Sequence, residues 1–114
     1  MATIKSGSEV EAVFKTGKRY KTPYFIMLVS ETPIERDPCG RVAFIAGKKL
    51  GNAPLRSRCK RVLREMVRQS DYTWPTKDVI FIANASISTV SPVYLRSEYI
   101  RVLKQADLLE ATAK

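Results

Sequence analysis

Residues 45–68, IAGKKLGNAPLRSRCKRVLREMVR, gather side chains suited to one kind of chemistry: holding phosphate. Between Arg41 and Arg68 stand nine Lys or Arg and a single acid, Glu65, so 28 residues carry +8 of the chain's net +9. From Arg56 to Arg68 arginine outnumbers lysine five to one. Guanidinium grips phosphate with two parallel hydrogen bonds and stacks on bases, which favours nucleic acid over a membrane surface. A membrane-seeking helix would also carry bulky Trp, Phe and Leu on its apolar side; here that side holds Cys59, Val62 and Met66 beside Leu55 and Leu63. Upstream, Gly47 and Gly51 bracket Lys48 and Lys49. Glycines admit close backbone approach, and a helix start offers free N–H groups to phosphate. The residue order of a nucleotide-binding P-loop is missing, so this loop alone reads equally well as an ordinary turn.

Hydrolytic chemistry has far less to work with. The chain has no histidine, which removes the usual general base and the commonest transition-metal ligand. Glu31, Glu35 and Asp37 lie in and before a turn-like segment and read as solvated acids, not as a metal-binding set. Cys39 and Cys59 form no CxxC pair. Free thiols suit a cytosolic setting better than a disulfide, which the sequence leaves open. Cys59 falls on an apolar helical stripe and is expected to pack as a small hydrophobe.

The elements that must position the cations follow from periodicity. At 114 residues and 45% apolar, the chain is expected to be a single domain over 1–114 with its own core. No apolar run reaches the ~18 residues of a membrane span, and MATIKSGSEV lacks the apolar heart of a secretory signal; the cytoplasm is the expected location. Ser6 and Glu9 have capping-box spacing, and Val10, Val13 and Phe14 follow at helical intervals before Gly17, predicting a helix near 7–16. Segments 18–21, 24–31, 41–47 and 78–85 are rich in β-favouring residues and read as strands. TPIERDPCG (32–40) is a turn and YTWPTK (72–77) a break. Asn52 is placed to cap a helix with Pro54 in its first turn. Leu55, Cys59, Val62, Leu63 and Met66 give that helix one apolar face. Ser91-Pro92 opens a last helix, with Leu95, Tyr99, Val102, Leu103 and Ala106 as its buried stripe. The order α-β-β-β-α-β-α predicts an α+β protein built as a two-layer α/β sandwich, two or three helices on one face of a four-stranded sheet. Periodicity assigns nothing to the other face.

On a wheel of about 100° per residue, the five apolar residues of the basic helix cluster within about 60° of one centre. Arg56, Lys60, Arg61, Arg64 and Arg68 lie opposite, with Arg58 near the boundary. A solvated helix surface normally alternates sign. Here Arg56/Lys60, Lys60/Arg64 and Arg64/Arg68 are like pairs at i,i+4, each costing a few tenths of a kcal/mol. The pattern points to a polyanion supplied by another molecule. A structured-RNA-binding protein of ribosomal type, a DNA-binding regulator and an enzyme in its own right are the competing readings. The regulator would need a helix before the basic one, where a strand is expected; the enzyme would need the missing catalytic groups.

At these residues the sequence resembles the protein component of bacterial ribonuclease P. The family pattern is a strand leading into KK-hydrophobic-GNA, then RNR-hydrophobic-KR-hydrophobic-hydrophobic-RE. The chain reads Lys48-Lys49-Leu50-Gly51-Asn52-Ala53, then Arg56-Ser57-Arg58-Cys59-Lys60-Arg61-Val62-Leu63-Arg64-Glu65. The VFKTGKR stretch (13–19), the element order and the length agree as well. Ser57 replaces the family's Asn in the central triplet, Val10 stands where an aromatic is frequent, and the basic leader of many relatives is missing upstream. The resemblance implies a four-stranded sheet with a left-handed βαβ crossover, a fold shared with a domain of a small-subunit ribosomal protein. It further implies an RNA subunit that cleaves precursor tRNA with Mg²⁺, held through that RNA and the substrate, with none held by the protein alone. Carried over by motif, Lys48, Lys49, Asn52, Arg56, Ser57, Arg58, Lys60, Arg61 and Arg64, with Arg68 on the same face, would contact RNA. Phe14 and Phe25 would stack bases of the 5′ leader in a cleft, although a core position suits Phe14 equally well and Phe25 somewhat better. The partners implied are the RNA subunit and precursor tRNA, with no membrane and no obligate protein partner.

Overall fold

The computed structural model describes residues 2–4, 7–31, 40–70, 72–74 and 77–108. Strands β1 (Ala2–Thr3), β2 (Lys18–Lys21), β3 (Phe25–Glu31), β4 (Arg41–Ile45) and β5 (Lys77–Ala83) form one mixed sheet in the order β1-β4-β5-β3-β2. The helices are α1 (Gly7–Thr16), α2 (Ala53–Arg68) and α3 (Pro92–Gln105). β4 and β5 are parallel neighbours joined through α2, and β3 runs antiparallel to both β5 and β2. The expected α+β order holds. β1 is an addition to the four expected strands: it pairs in parallel with the start of β4, Ala2 opposite Arg41, and two residues leave no periodic signal. The proposed Ser6 cap, Cys39 and turn residues 32–39 lie outside the described residues. No described helix is long and apolar enough to cross a membrane.

Strand parity sorts the core. Phe25, Met27, Val42, Val79 and Phe81 project to one face, where they meet Cys59, Leu63 and Met66 of α2 and Leu95, Tyr99, Val102 and Leu103 of α3. Leu28, Ala43 and Ile80 project to the other and pack with Ile4 and with Val13 of α1. Two helices therefore build the main layer, and α1 covers part of the face that periodicity left unassigned. Apolar contact on both faces explains why β4 and β5 read as nearly continuous hydrophobic runs. Cys59 is fully buried with a free thiol.

Two features lock β4 in place. Trp74, fully buried, donates from its indole N–H to the Arg41 carbonyl at 2.9 Å. Its backbone runs so close to Gly40 (φ +90°) that a Cβ there would lie 2.2 Å from the Trp74 carbonyl oxygen, so only glycine fits. On the α1 face, Arg41 donates from Nε to Asp78 Oδ1 at 2.8 Å and from Nη2 to Oδ2 at 2.6 Å, while Nη1 meets Glu9 of α1. Hydrogen bonding to Asp78 first, and to Glu9 after it, outweighs burial and holds this guanidinium above the ordinary arginine range. The triad ties α1 to both parallel strands.

The start of α2 is fixed by its cap. Asn52 Oδ1 accepts from the Leu55 N–H at 3.0 Å, and Pro54 occupies the first turn, where no helical partner is required.

Replacing Asp78 by Ala leaves a buried guanidinium without its two-pronged partner and is expected to cost roughly 3 kcal/mol. Urea unfolding checks this, the midpoint falling while the slope is unchanged. Asn52→Ala is expected to lose about 1 kcal/mol by the same measurement, and Asn52→Asp, which preserves the cap, to stay within about 0.5 kcal/mol of the native chain. Equal losses in both Asn52 variants would show that the cap contributes nothing.

Candidate nucleic-acid interface

The apolar stripe of α2 fixes which way the helix faces. With Cys59, Leu63 and Met66 buried and Leu55 and Val62 half-buried, the remaining half of its circumference must point outward. Ser57, Arg61, Arg64 and Arg68 form the exposed crest; Arg56 and Lys60, both half-buried, flank it on one side, and exposed Arg58 flanks it on the other. Lys48 and Lys49 stand exposed in a 3₁₀ turn, Lys48–Leu50, just before the helix. All ten residues expected to contact RNA thus lie on one continuous element and the turn that leads into it. Asn52 is exposed but already engaged as the cap.

Internal counter-ions are scarce. Among the described residues the basic face has one ion pair, Arg68 to Glu65 at 3.5 Å, between side chains 76% and 47% exposed. An exposed pair of that length contributes almost nothing. Arg64 lies over the ring of Phe44, its guanidinium carbon 6.0 Å from the centroid, which orients the charge without neutralising it. Arg56 Nε is buried with no hydrogen-bond partner. Arg41, counted in the charge of the basic segment, does not share this face. It is 8% exposed, on the opposite side of the sheet, and its charge is taken up by Asp78 and Glu9. Position in the chain grouped it with the basic segment; strand parity separates it.

The two aromatic residues assigned to a cleft also separate. Phe25 is fully buried on the α2/α3 side, edge-on to Phe81 with centroids 5.6 Å apart. This corrects its assignment to base stacking: it is a core residue, because its place in β3 points it away from α1. Phe14 is 37% exposed on α1. Glu9 reaches Arg41, and Thr16 bonds Ser30 at 2.9 Å, so the opposite flank of α1, bearing Val10 and Phe14, looks toward the open end of the sheet.

That end of the sheet holds residues the sequence reading missed. Register aligns Ile26 with Ile82, and Ile82 with Ile45, across three adjacent strands. All three are half-buried, whereas Leu28, Ile80 and Ala43 in the next row lie beneath α1. Lys21 sits opposite Ile26 and Arg19 opposite Leu28, and both are exposed. The result is a shallow cleft with an isoleucine floor, a wall of Val10 and Phe14, and a cationic rim. Its signal was available only as strand pairing. Such a surface accepts flat apolar groups joined by anions, as in single-stranded nucleic acid.

Comparison with known proteins agrees with this geometry. The family model described as Ribonuclease P matches residues 1–107. The ribonuclease P protein component of Syntrophomonas wolfei is 33% identical over 113 residues, spanning 98% of this chain and 92% of the relative. That of Natranaerobius thermophilus is 32% identical over 111 residues, spanning 96% and 94%. The solved RNase P protein of Staphylococcus aureus superposes with a TM-score of 0.74 at 27% identity, covering 95% of this chain and 97% of that one. The RNase P protein of Thermotoga maritima, at 22% identity and a TM-score of 0.76, shares the fold over 92% of this chain and 97% of its own. The outward cationic helix, the sheet that carries it and the match along nearly the full sequence lead to one conclusion: this chain belongs to the ribonuclease P protein family.

Proposed function

We propose that this chain docks through α2 and the Lys48–Lys49 turn on the catalytic RNA of a bacterial ribonuclease P, and holds the 5′ leader of precursor tRNA in the cleft between α1 and the sheet. The observation that carries this reading is a helix face of arginines with one weak counter-ion among the described residues. Phosphates from a second molecule neutralise those charges and release condensed counter-ions, which makes affinity strongly salt-dependent. The cleft adds single-strand recognition: Phe14 offers a stacking face, the isoleucine row an apolar floor, and Arg19 and Lys21 meet the leader backbone.

The bond-breaking chemistry belongs, in this proposal, to the RNA subunit. The chain has no histidine, and among the described residues no three His, Cys, Asp or Glu side chains come together in a way that could hold a metal ion. The described residues do not fit a protein-held Mg²⁺, and we place the ion on phosphate oxygens of RNA. The protein's part is to screen repulsion between two polyanions and to fix where the leader lies. Both effects raise substrate affinity without any protein group touching the scissile phosphate.

Addition of this protein to a bacterial ribonuclease P RNA at low Mg²⁺ is expected to enhance cleavage of precursor tRNA at the mature 5′ end; no enhancement would overturn the assignment. Arg61→Ala and Arg64→Ala are each expected to weaken binding to the RNA subunit and to reduce the slope of log affinity against log salt by about one. Phe14→Ala is expected to leave RNA-subunit affinity intact while weakening binding of leader-bearing substrate about tenfold, the loss of one stacked base. Leaderless tRNA serves as the control that this variant leaves unchanged.

A further inference from the structure

On its α3 side, α2 borders a cavity of about 310 Å³ that lies on the opposite face of the sheet from the leader cleft. Its floor is apolar, built from Val62 and Met66 of α2, Leu95 and Ile100 of α3, and Ile87 between them. Tyr72 stands half-buried on the wall, its ring tilted at 56° to that of Tyr99 with centroids 6.2 Å apart. Burial pushes the Tyr99 phenol up to about 12, so its hydroxyl stays a neutral partner of Ser70 at 3.3 Å. The rim is cationic from two elements: Arg58 and Arg61 come from α2, and Arg96 comes from α3. All three are exposed, and none has an ion pair among the described residues. Glu65, the one acid on the rim, is turned toward Arg68.

We propose that this cavity takes one unstacked nucleotide of the RNA partner, its base against the apolar floor and Tyr72 and its phosphate between Arg58, Arg61 and Arg96. Three features select that occupant. A cavity near the small end of the ligand-pocket range admits a base with its sugar and excludes a duplex. The combination of apolar floor, aromatic wall and arginine rim matches a group that is flat at one end and anionic at the other. The rim is also continuous with the α2 crest, so RNA lying along the helix passes the mouth. An apolar peptide would leave three guanidinium groups without partners. The inference rests on the proposed docking of α2 on RNA and adds a base-reading site at its edge, contributed in part by a helix that the basic motif does not include.

The test uses the full chain with labelled isoleucine, leucine and valine methyl groups. AMP is expected to shift the Val62, Ile87 and Ile100 resonances, adenosine to shift them more weakly, and inorganic phosphate to leave them in place. Ile100→Trp, which fills the cavity, is expected to abolish the AMP response, with thermal unfolding used to verify the fold. Arg96→Ala is expected to weaken AMP about tenfold and Arg96→Lys to restore part of the loss. In complex with ribonuclease P RNA, Ile100→Trp and Arg96→Ala are each expected to lower affinity about tenfold. They are also expected to expose to base-specific chemical modification a nucleotide that the native protein protects. AMP shifts confined to Ile26, Ile45 and Ile82, or native affinity and protection in both variants, would overturn the site. Failure of the docking proposal itself reads differently: the native chain would then not bind the RNA subunit, and AMP would still report on the cavity.

Discussion

A row of mutually repelling cations stays in place because the reverse side of the same helix is buried. The three like pairs at i,i+4 along α2 cost a few tenths of a kcal/mol each, about 1 kcal/mol together. Burial of Leu63 and Met66 alone contributes on the order of 2 kcal/mol apiece. The apolar stripe therefore wins by a wide margin, and the helix tolerates repulsion that an isolated peptide would relieve by fraying. Repulsion retained in this way is a reserve of binding free energy. In the proposed docking it is discharged by phosphate, which makes a polyanion a better partner for this face than water and salt.

Arginine has two distinct fates in the molecule, and the contrast shows how the fold separates structure from function. Arg41 faces the α1 side of the sheet, is nearly buried, and spends its hydrogen bonds on Asp78 and Glu9. It fastens α1 to two central strands and offers nothing to a partner. The arginines of α2 face outward, where the described residues provide little more than the long Glu65 contact. The same side chain is a cross-link where acids converge on it and an outward surface charge, the proposed docking group, where they do not. By fastening α1, Arg41 also sets the angle at which Val10 and Phe14 overlook the isoleucine row, so a structural ion triad shapes the cleft from behind.

What was legible in the sequence follows from the range of the signal. The cationic crest is a local property: 3.6-residue periodicity places Leu55, Cys59, Val62, Leu63 and Met66 on one side and the arginines on the other, with no knowledge of the rest of the chain. The Asn52 cap is local too. The cleft is not. Ile26, Ile45 and Ile82 become neighbours only through the pairing of β3 with β5 and of β5 with β4. Strands apolar on both faces carry no alternation from which their parity could be read, and for that reason Phe25 was misplaced by a single step of the pleat. Trp74 escaped for a related reason. It sits outside any helix or strand, and its burial depends on a hydrogen bond to Arg41 and a close approach to Gly40 across more than thirty residues of sequence.

The two polar positions of the signature, Asn52 and Ser57, then take on different meanings. Asn52 holds the helix start through the Leu55 N–H, so selection for folding alone would retain a capping residue there. Ser57 has no such duty. It stands exposed on the crest, one turn from Arg61, with no hydrogen bond within the described residues. A serine in place of the Asn of the resembled pattern therefore removes no hydrogen bond from the described fold and alters what the exposed crest presents. A carboxamide brings both a donor and an acceptor at some reach; a serine hydroxyl is shorter and lies lower between the arginines. The crest therefore presents its guanidinium groups around a short hydroxyl in place of a longer carboxamide.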